Sequence, residues 1–179
     1  MFKQFFLSFV VMSFVMVGIS SHAMAETKIA VIDVQNLLNN STAAENVQKQ
    51  IAKKREEFQK EFATYESDLR KSQEELTKNA TDKSKEDIQR ERGEFEKKIL
   101  ETRKLVQERQ ISLEKAANKS LQTLRGEIFK IVADIAEEDG FTLVMSRQNV
   151  VLAEKSIDIT ERVMKRLNKS VKKIELEIE

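Results

Sequence analysis

The stretch DGFTLVMSRQNVVLAEKSIDIT, residues 139–160, decides the fold because it holds two short apolar runs beside a long, charged, helical region. The runs FTLVMSR and VVLAEK flank Gln148 and Asn149, and we expect a β-hairpin that turns at those two residues. Gly140, just before the first run, is placed to end the preceding helix. A third apolar run, KIAVID, residues 28–33, lies near the start of the chain. The sequence therefore predicts three strands, with a long helical segment between the first strand and the other two.

The helical segment contains a repeating apolar stripe. The chain has no proline, so no residue of this segment is barred from a helix. Large apolar side chains recur at heptad a and d positions, which is the narrow stripe typical of a coiled coil. We call these residues the seam: Ile51, Phe58, Phe62, Tyr65, Leu69 and Leu76 in the first half, and Ile88, Phe95, Ile99, Val106 and Leu113 in the second. Because such a stripe cannot bury itself alone, the two halves are predicted to pack together.

A turn between the two halves is predicted where large apolar residues are missing. Residues 77–87, TKNATDKSKED, contain none. Asn79 can end the first helix, and Thr81 or Asp82 can cap the second. We therefore predict an antiparallel helical hairpin with its tip at about 77–84 and a length on the order of 50 Å. The alternative is one uninterrupted helix of about 95 residues and about 140 Å.

The apolar pattern changes near Leu113, which predicts where this hairpin meets the rest of the protein. The spacing moves to steps of four, resembling a coiled-coil stutter, and large aliphatic residues become denser. We place the root of the arm there, on Leu121, Leu124, Ile128, Ile131 and Ile135. The predicted organisation is a helical arm, residues 45–115, inserted into a discontinuous β-rich body, residues 26–44 and 116–179. The fold class is α+β, mostly α.

The body is predicted to end with a short helix and a tail. Asp158 or Thr160 can cap this helix, and its apolar face consists of Ile159, Val163, Met164 and Leu167. Asp33 is predicted to cap the short turn DVQNLLNN near the start of the chain. The tail SVKKIELEIE, residues 170–179, alternates apolar and acidic residues as a strand does, although an extension of the last helix explains it equally well.

The first 25 residues have the features of a signal peptide. MFKQ supplies one positive charge, residues 5–19 form an apolar run, and AMA at residues 23–25 offers small residues for cleavage. A retained membrane anchor is the alternative, but the run is shorter than the roughly 18 to 20 residues that a spanning helix needs. We therefore predict cleavage before Glu26 and export of residues 26–179.

Composition limits the function of the exported part. It carries 30 basic and 30 acidic residues, so no net field favours nucleic acid or an anionic membrane. The chain has no cysteine, so stability must come from packing, which we expect to lie between subunits. The only histidine, His22, is lost on cleavage, and the four glycines do not fit a phosphate loop. Adjacent carboxylates such as Glu56 and Glu57 are interpreted as solvated helix faces. We predict no enzymatic activity, no catalytic residue, no metal and no cofactor.

Three stretches carry a resemblance to a known family. The opening KIAVIDVQNLL, the strand GFTLVM and the closing IDITERVMKRLN, with the charged hairpin between them, are similar to the Skp/OmpH family of periplasmic chaperones. The resemblance covers essentially all of the chain after the signal. It implies a homotrimer with a β-rich body and three helical arms around a cavity. Such a cavity would hold unfolded outer-membrane β-barrel proteins in the periplasm without ATP.

Candidate site residues come from the seam and from the strands. Six seam residues are predicted to close the arm or to contact a bound protein: Phe58, Phe62, Tyr65, Leu69, Phe95 and Ile99. Strand edges in so small a sheet are predicted to pair with other subunits, through Ile29, Val31, Phe141, Leu143 and Val144. Gly93 is predicted to be a flexible point that lets the arm splay, the alternative being tolerated variation in a long helix.

Charge separates this chain from typical members of the family, which are strongly basic. Residues 70–92 carry seven basic and six acidic side chains, so the arm tip has almost no net charge. This argues against contact with lipopolysaccharide or membrane, and nucleic acid is not an expected partner. The alternative function is a structural coiled-coil spacer or tether of the cell envelope. It explains the helices but not the apolar runs near the end of the chain.

Overall fold

The computed structural model describes residues 27–78 and 83–178. Its regular elements are β1 (Ile29–Ile32), α1 (Val34–Asn40), α2 (Thr42–Lys78), α3 (Lys85–Asp139), β2 (Leu143–Ser146) and α4 (Thr160–Ser170). The predicted signal peptide, and the predicted capping residues Asn79, Thr81 and Asp82, lie outside the described residues. Helices α2 and α3 form the predicted hairpin, so the alternative of one uninterrupted helix is wrong.

The sheet explains why the arm is inserted between the apolar runs. Strand β1 pairs with β2 in parallel, from Ile29 opposite Leu143 to Ile32 opposite Ser146. Parallel strands cannot be joined by a tight turn and need a crossover connection, usually a helix. Here the crossover consists of α1, α2 and α3, and most of it extends into the arm. The predicted class, a mostly helical α+β chain with a helical-hairpin arm inserted into a small body, is confirmed. The sheet of the described residues has two strands, whereas three were predicted.

The predicted β-hairpin at 141–155 is wrong. Only its first half forms a strand, and the second half contains two 3₁₀ turns, Arg147–Asn149 and Lys155–Ile157. A two-residue hairpin turn of the favoured type needs positive φ at its central residues, but in the described backbone only Gly140 has positive φ. The other edge of β1 is occupied as well, because Ile159 N donates to Val31 O over 2.9 Å.

The predicted root of the arm forms the centre of the body. Leu124, Ile128 and Ile135 are fully buried, in one cluster with Leu37 of α1 and Leu167 of α4. Leu121, one turn before Leu124, is 41% exposed and does not belong to this cluster. Since the cluster combines residues of α1, α2, α3 and α4, packing at the root holds the body together.

The helix ends agree with the predicted caps at Asp33 and Gly140, whereas the N-cap position of α4 is Ile159, which makes no side-chain cap hydrogen bond. Asp33 Oδ1 accepts from Asn36 N over 2.9 Å, and Gly140 ends α3 in the left-handed conformation with φ 71°. Asp158 Oδ1 accepts from Thr160 N at the start of α4 over 2.9 Å. The cap of α3 differs from the prediction, since Ser84 Oγ accepts from Asp87 N over 3.2 Å.

A cluster of ion pairs joins the end of α3 to α4. Arg166 Nη1 lies 2.8 Å from Glu138 Oε1, and Arg162 Nη2 lies 2.9 Å from Asp139 Oδ1. Hydrogen bonds from Arg166 lower the pKa of Glu138, and those from Arg162 lower the pKa of Asp139. These pairs fasten the end of the crossover to the last helix.

These lowered pKa values predict acid sensitivity. A carboxylate whose pKa is lowered by folding stabilises the folded state above its unfolded-state pKa of about 4, and this contribution is lost as pH falls through the folded-state value. We expect the urea concentration at the midpoint of unfolding to decrease when the pH is lowered from 6 to 3. The decrease should be smaller in the Arg162→Gln, Arg166→Gln double variant. An equal decrease of the midpoint in the unchanged protein and in the variant would show that this cluster of ion pairs does not cause the acid sensitivity.

Candidate functional site: the helical arm

The two helices of the arm lie antiparallel along its length. At 1.5 Å per residue, α2 is about 55 Å long and α3 about 80 Å. Near the tip, Lys98 Nζ donates to Ser72 Oγ over 3.2 Å. Closer to the body, Arg109 Nη2 lies 3.6 Å from Glu61 Oε1. Contacts therefore advance toward the body along both helices together, as an antiparallel pair requires.

The seam of the arm is only half buried. In α2 the buried residues end at Val47, and in α3 they begin at Ala116. Over the described residues from 48 to 115, every seam side chain keeps part of its surface in water. Helices in proteins bury an apolar face by packing it against other elements. Each helix of this hairpin has only one neighbouring helix along the arm, which is too few to cover the whole stripe. The arm therefore presents an apolar stripe along most of its length.

An apolar groove lies in the outer part of this stripe. It encloses about 660 Å³, and we call it the distal groove. Its apolar lining is Phe62, Leu69, Phe95, Ile99 and Val106. Four of the six predicted seam or contact residues, Phe62, Leu69, Phe95 and Ile99, are thus brought together on one surface.

A second groove, the proximal groove, lies nearer the body and encloses about 590 Å³. Its apolar lining is Ile51, Phe58, Phe62, Leu113 and Ala117. Phe62 lines both grooves, and its ring centroid is 6.3 Å from that of Phe58. The two grooves therefore adjoin at Phe62, the one residue that the two linings share.

Tyr65 lies apart from both grooves and belongs to a polar group between the helices. Its hydroxyl donates to Glu61 Oε1 over 2.9 Å, and this hydrogen bond raises the pKa of Tyr65. The Arg109 guanidinium approaches the same carboxylate and lies 5.5 Å from the ring centroid of Phe58. Arg109 is not among the residues predicted from the heptads, although its position three residues after Val106 places it on the seam side of α3.

The rims of the grooves carry both signs of charge. Glu66, Arg70 and Arg103 flank the distal groove, and Arg55 and Glu114 flank the proximal one. A ligand entering either groove therefore meets no field of one sign. Apolar contact is the main interaction that these surfaces offer.

A second apolar stripe, absent from the sequence analysis, lies on the surface of α3. Leu100, Ile111 and Phe129 are 64%, 42% and 54% exposed. Their spacings of 11 and 18 residues are close to whole numbers of helical turns, so the three side chains lie on one side of the helix. The heptad pattern could not reveal them because they do not belong to the seam.

The carboxylate pairs do not have the environment of acid or base catalysts. Lys60 lies 2.6 Å from Glu56, and Lys54 lies 2.6 Å from Glu57. Hydrogen bonds donated by these lysines lower the pKa of both carboxyls, whereas a catalytic acid at neutral pH needs a raised pKa. Within residues 27–78 and 83–178, no group of His, Cys, Asp and Glu side chains is placed to hold a metal ion.

The residues predicted for oligomerisation differ in exposure. Val31 is buried inside the single chain, and Phe141 and Val144 pack against the body cluster while partly exposed. Ile29 is half-buried, whereas Leu143 is 47% exposed. In the part of the chain that the structure describes, β2 pairs only with β1, so its second edge is open.

An exposed loop follows β2. Val151 and Leu152 are 104% and 89% exposed, and they belong to the run predicted as the second hairpin strand. Large apolar side chains this exposed, beside an open strand edge, mark a surface suited to protein contact.

Gly93 lies in the third turn of α3, near the tip of the arm, at an exposed position. A Cβ at this position would have no heavy atom within 4 Å, and the same is true of Gly126 nearer the body. Neither glycine is therefore required by close packing, and both weaken the helix relative to alanine.

Comparison with known proteins places the chain among OmpH-like proteins. The family model described as outer membrane protein (OmpH-like) matches residues 28–167. A Skp-like protein of Pseudomonas aeruginosa is 28% identical over 148 residues, which is 82% of this chain and 87% of the relative. A crystal structure from Caulobacter crescentus, described as an OmpH-like outer membrane chaperone, superposes with a TM-score of 0.79 at 16% identity, over 91% of this chain and 96% of the other. No helix among the described residues is long and apolar enough to cross a membrane.

Proposed function

Because this chain belongs to the OmpH-like family, we propose that it is a chaperone, specifically an ATP-independent holdase of the periplasm. In this proposal it binds unfolded outer-membrane β-barrel proteins, here called clients, in a cavity between helical arms and prevents their aggregation. The observation that carries the proposal is the half-buried seam with its two adjoining grooves. A rigid spacer, the alternative function, has no need of an unfilled apolar surface.

The chemistry of a barrel client fits these grooves. Strands of outer-membrane barrels expose apolar side chains at every second residue, and before membrane insertion these side chains promote aggregation. Binding the unfolded chain keeps it soluble by mass action. Each contact with a half-open groove is weak, so clients can dissociate without a nucleotide.

A cavity requires more than one arm, and we propose that the protein is a homotrimer assembled through its body. The open edge of β2, the exposed Leu143 and the loop with Val151 and Leu152 support this assembly surface. Pairing of strand edges between subunits would also protect β2 from aggregation. Periplasmic location follows from the predicted signal peptide, and the balanced charge of the arm gives no support to lipopolysaccharide or membrane contact.

Charges on β2 are expected to dissociate the trimer. The Leu143→Asp, Val144→Asp double variant places one carboxylate at the exposed position 143 and one at position 144, which packs partly against the body cluster. Circular dichroism must therefore show that the variant still folds; burying these charges unpaired at the interface would then oppose association. Light scattering should then give the mass of a single chain. The Gln148→Asp, Asn149→Asp variant adds the same charge at exposed positions just after β2 and should keep the trimer mass. A trimer mass for the β2 variant would rule out this strand as the assembly surface.

Gly93→Ala is expected to stiffen the arm. Alanine should stabilise the helix by about 1 kcal/mol, and it meets no neighbour that would have to move. If Gly93 lets the arms splay, the variant should protect small barrels as before and large barrels less well. Gly126→Ala gains the same helix propensity outside the arm and serves as the control. Equal protection of small and large clients by both variants would contradict a role for Gly93 in splaying.

Turbidity tests the holdase proposal itself. An outer-membrane barrel protein unfolded in urea is diluted into buffer with and without residues 26–179, at low and at moderate salt. We expect suppression near one trimer per client at both salt concentrations, because the grooves offer mainly apolar contact. Failure of a well-folded trimer to suppress turbidity would overturn the proposal and favour the spacer.

A further inference from the structure

The tail, residues 171–178, forms neither a helix nor a strand, yet it is bound to the root of the arm. Ile174 is buried and belongs to the body cluster together with Val47 of α2 and Leu124 of α3. These residues lie beyond residues 28–167, the range that the family model matches. The tail is therefore a feature of this chain that the family match does not explain.

The main chain of the tail is recognised by one side-chain amide of α2. Gln50 Nε2 donates to Ile174 O over 2.7 Å, and Gln50 Oε1 accepts from Leu176 N over 3.1 Å. In a parallel sheet, one residue makes this pair of bonds to a carbonyl and an amide two residues apart on its neighbour. Gln50 Nε2 is also held by Asn46 Oδ1 over 2.7 Å. The side chain of Gln50 thus replaces one residue of a neighbouring strand.

Helix α3 binds the tail from the other side. The hydroxyl of Ser120, which is buried, lies 3.0 Å from Ala116 O of its own helix and 3.3 Å from Glu175 O, so its single proton is shared between these two carbonyls. Successive carbonyls of an extended chain point to opposite sides, and here Ile174 O is directed to α2 and Glu175 O to α3. The tail therefore lies between the two helices, in a channel whose polar groups contact main chain rather than side chains.

Contacts to the main chain do not depend on the sequence of the bound segment. The burial of the tail does favour one pattern, an alternation of apolar and polar side chains. Ile174 is buried and Leu176 and Ile178 are half-buried, whereas Glu175 and Glu177 are exposed. Alternation of this kind is also the signature of a strand from an outer-membrane barrel. The one ion pair of tail and arm root that the described residues show, Lys119 Nζ to Glu177 Oε2 at 2.6 Å, is exposed on both sides, so it contributes little.

We propose that residues 171–178 are a tethered occupant of a binding site for extended polypeptide at the root of the arm. Gln50, Ser120 and the pocket that holds Ile174 form this site. A strand-like segment of an unfolded barrel protein binds there by displacing the tail. The identity of this ligand rests on the proposed holdase function, whereas the site itself rests on the contacts of the tail.

Tethering gives the tail a role in release. A segment joined to its own site by a short linker has an effective concentration in the millimolar range. A client segment must therefore outcompete a local occupant, and the tail returns when that segment dissociates. This exchange needs no nucleotide, in keeping with the proposed mechanism.

Peptide binding to variants of residues 26–179 tests the site. Ile174→Asp should free the tail from its pocket, and a fluorescent peptide of the sequence SVKKIELEI should then bind at least tenfold more tightly than to the unchanged protein, as measured by anisotropy. Adding Gln50→Leu, which keeps the size of the side chain but removes both hydrogen bonds, should abolish the gain. An unlabelled barrel-strand peptide should displace the probe, and a peptide of the same composition without alternation should not.

Hydrogen exchange of the unchanged protein provides a second measurement that needs no variant to fold. The amide of Leu176 donates to Gln50 Oε1. Its hydrogen should exchange faster when the barrel-strand peptide is added, because the displaced tail loses this bond. No binding of the tail peptide to a folded Ile174→Asp variant, with no change in Leu176 exchange, would overturn the inference. If the barrel-strand peptide fails to displace the probe while turbidity is still suppressed, the inference fails and the holdase proposal stands. If turbidity is not suppressed but the tail peptide binds, the root of the arm does bind extended polypeptide, and the proposal that its ligand is a barrel protein is wrong.

Discussion

Replacing Phe62 with alanine is expected to raise about tenfold the concentration of the protein needed to halve the aggregation of an unfolded barrel client. Phe62 lines both grooves of the arm, so its ring contributes to the whole apolar surface. Burial of a phenylalanine side chain stabilises a complex by about 1.5 to 3 kcal/mol, and 1.4 kcal/mol corresponds to a factor of ten in affinity. Turbidity measured over a series of chaperone concentrations gives the ratio directly.

Tyr65→Ala is the matched control for this prediction. It removes an aromatic ring from the same helix, one turn away, but Tyr65 lines neither groove and is bonded to Glu61. Circular dichroism should show that both variants keep the helical content of the arm. If Tyr65→Ala weakened protection as much as Phe62→Ala did, the grooves would not be the binding surface, and the aromatic side chains would serve only to close the hairpin.

Leu124→Ala is expected to lower the free energy of unfolding by about 2 to 5 kcal/mol. Leu124 has no exposed surface and lies where α3 meets the rest of the body, so alanine would leave a cavity among residues of several helices. Urea denaturation followed by circular dichroism measures the change.

Leu121→Ala makes the same chemical change three residues earlier on the same helix. Leu121 is 41% exposed, so its replacement should alter stability by well under half as much as Leu124→Ala does. Equal losses from the two variants would contradict the conclusion that the cluster at the arm root is the core of the protein.

Local patterns of the sequence were sufficient to predict the arm. The heptad spacing of Phe58, Phe62 and Leu69, together with the absence of proline, indicates long helices whatever surrounds them. Gly140 ends α3 as predicted, because the left-handed conformation of a helix cap favours glycine. The dense aliphatic residues from Leu124 onward are buried, because at the root α3 meets α1 and α4 as well as α2.

The strands could not be predicted as well, because their pairing depends on residues far apart in the chain. Leu143 pairs with Ile29 across the whole crossover, and no short-range pattern reports such a contact. The apolar run at Val150 to Leu152 resembles a strand, but Arg147–Asn149 forms a 3₁₀ turn without the positive φ that a tight hairpin turn needs, so the run does not pair with β2. Strand propensity does not produce a strand when the turn fails to bring the run back onto its partner.

Only part of the candidate site could be predicted from the sequence, because the rest depends on contacts between residues far apart in the chain. The heptads identify the seam residues, but not that a two-helix hairpin leaves Phe62 and Phe95 half exposed, since exposure depends on the number of neighbouring helices. Gln50 is a common helix residue, and nothing near it in the sequence connects it to Ile174. Its role became visible only when the structure placed the tail across the root of the arm.

Site-specific photo-crosslinking tests most directly whether the grooves hold the client. The chain has no cysteine, so Thr102→Cys, at the rim of the distal groove, and Lys97→Cys, at an exposed position on the same helix, each carry one cysteine-linked photoprobe. With an unfolded barrel protein bound, the probe at 102 should form a crosslinked product several times more abundant than the probe at 97. Equal products from the two positions, or none from position 102 while the client stays soluble, would contradict the account.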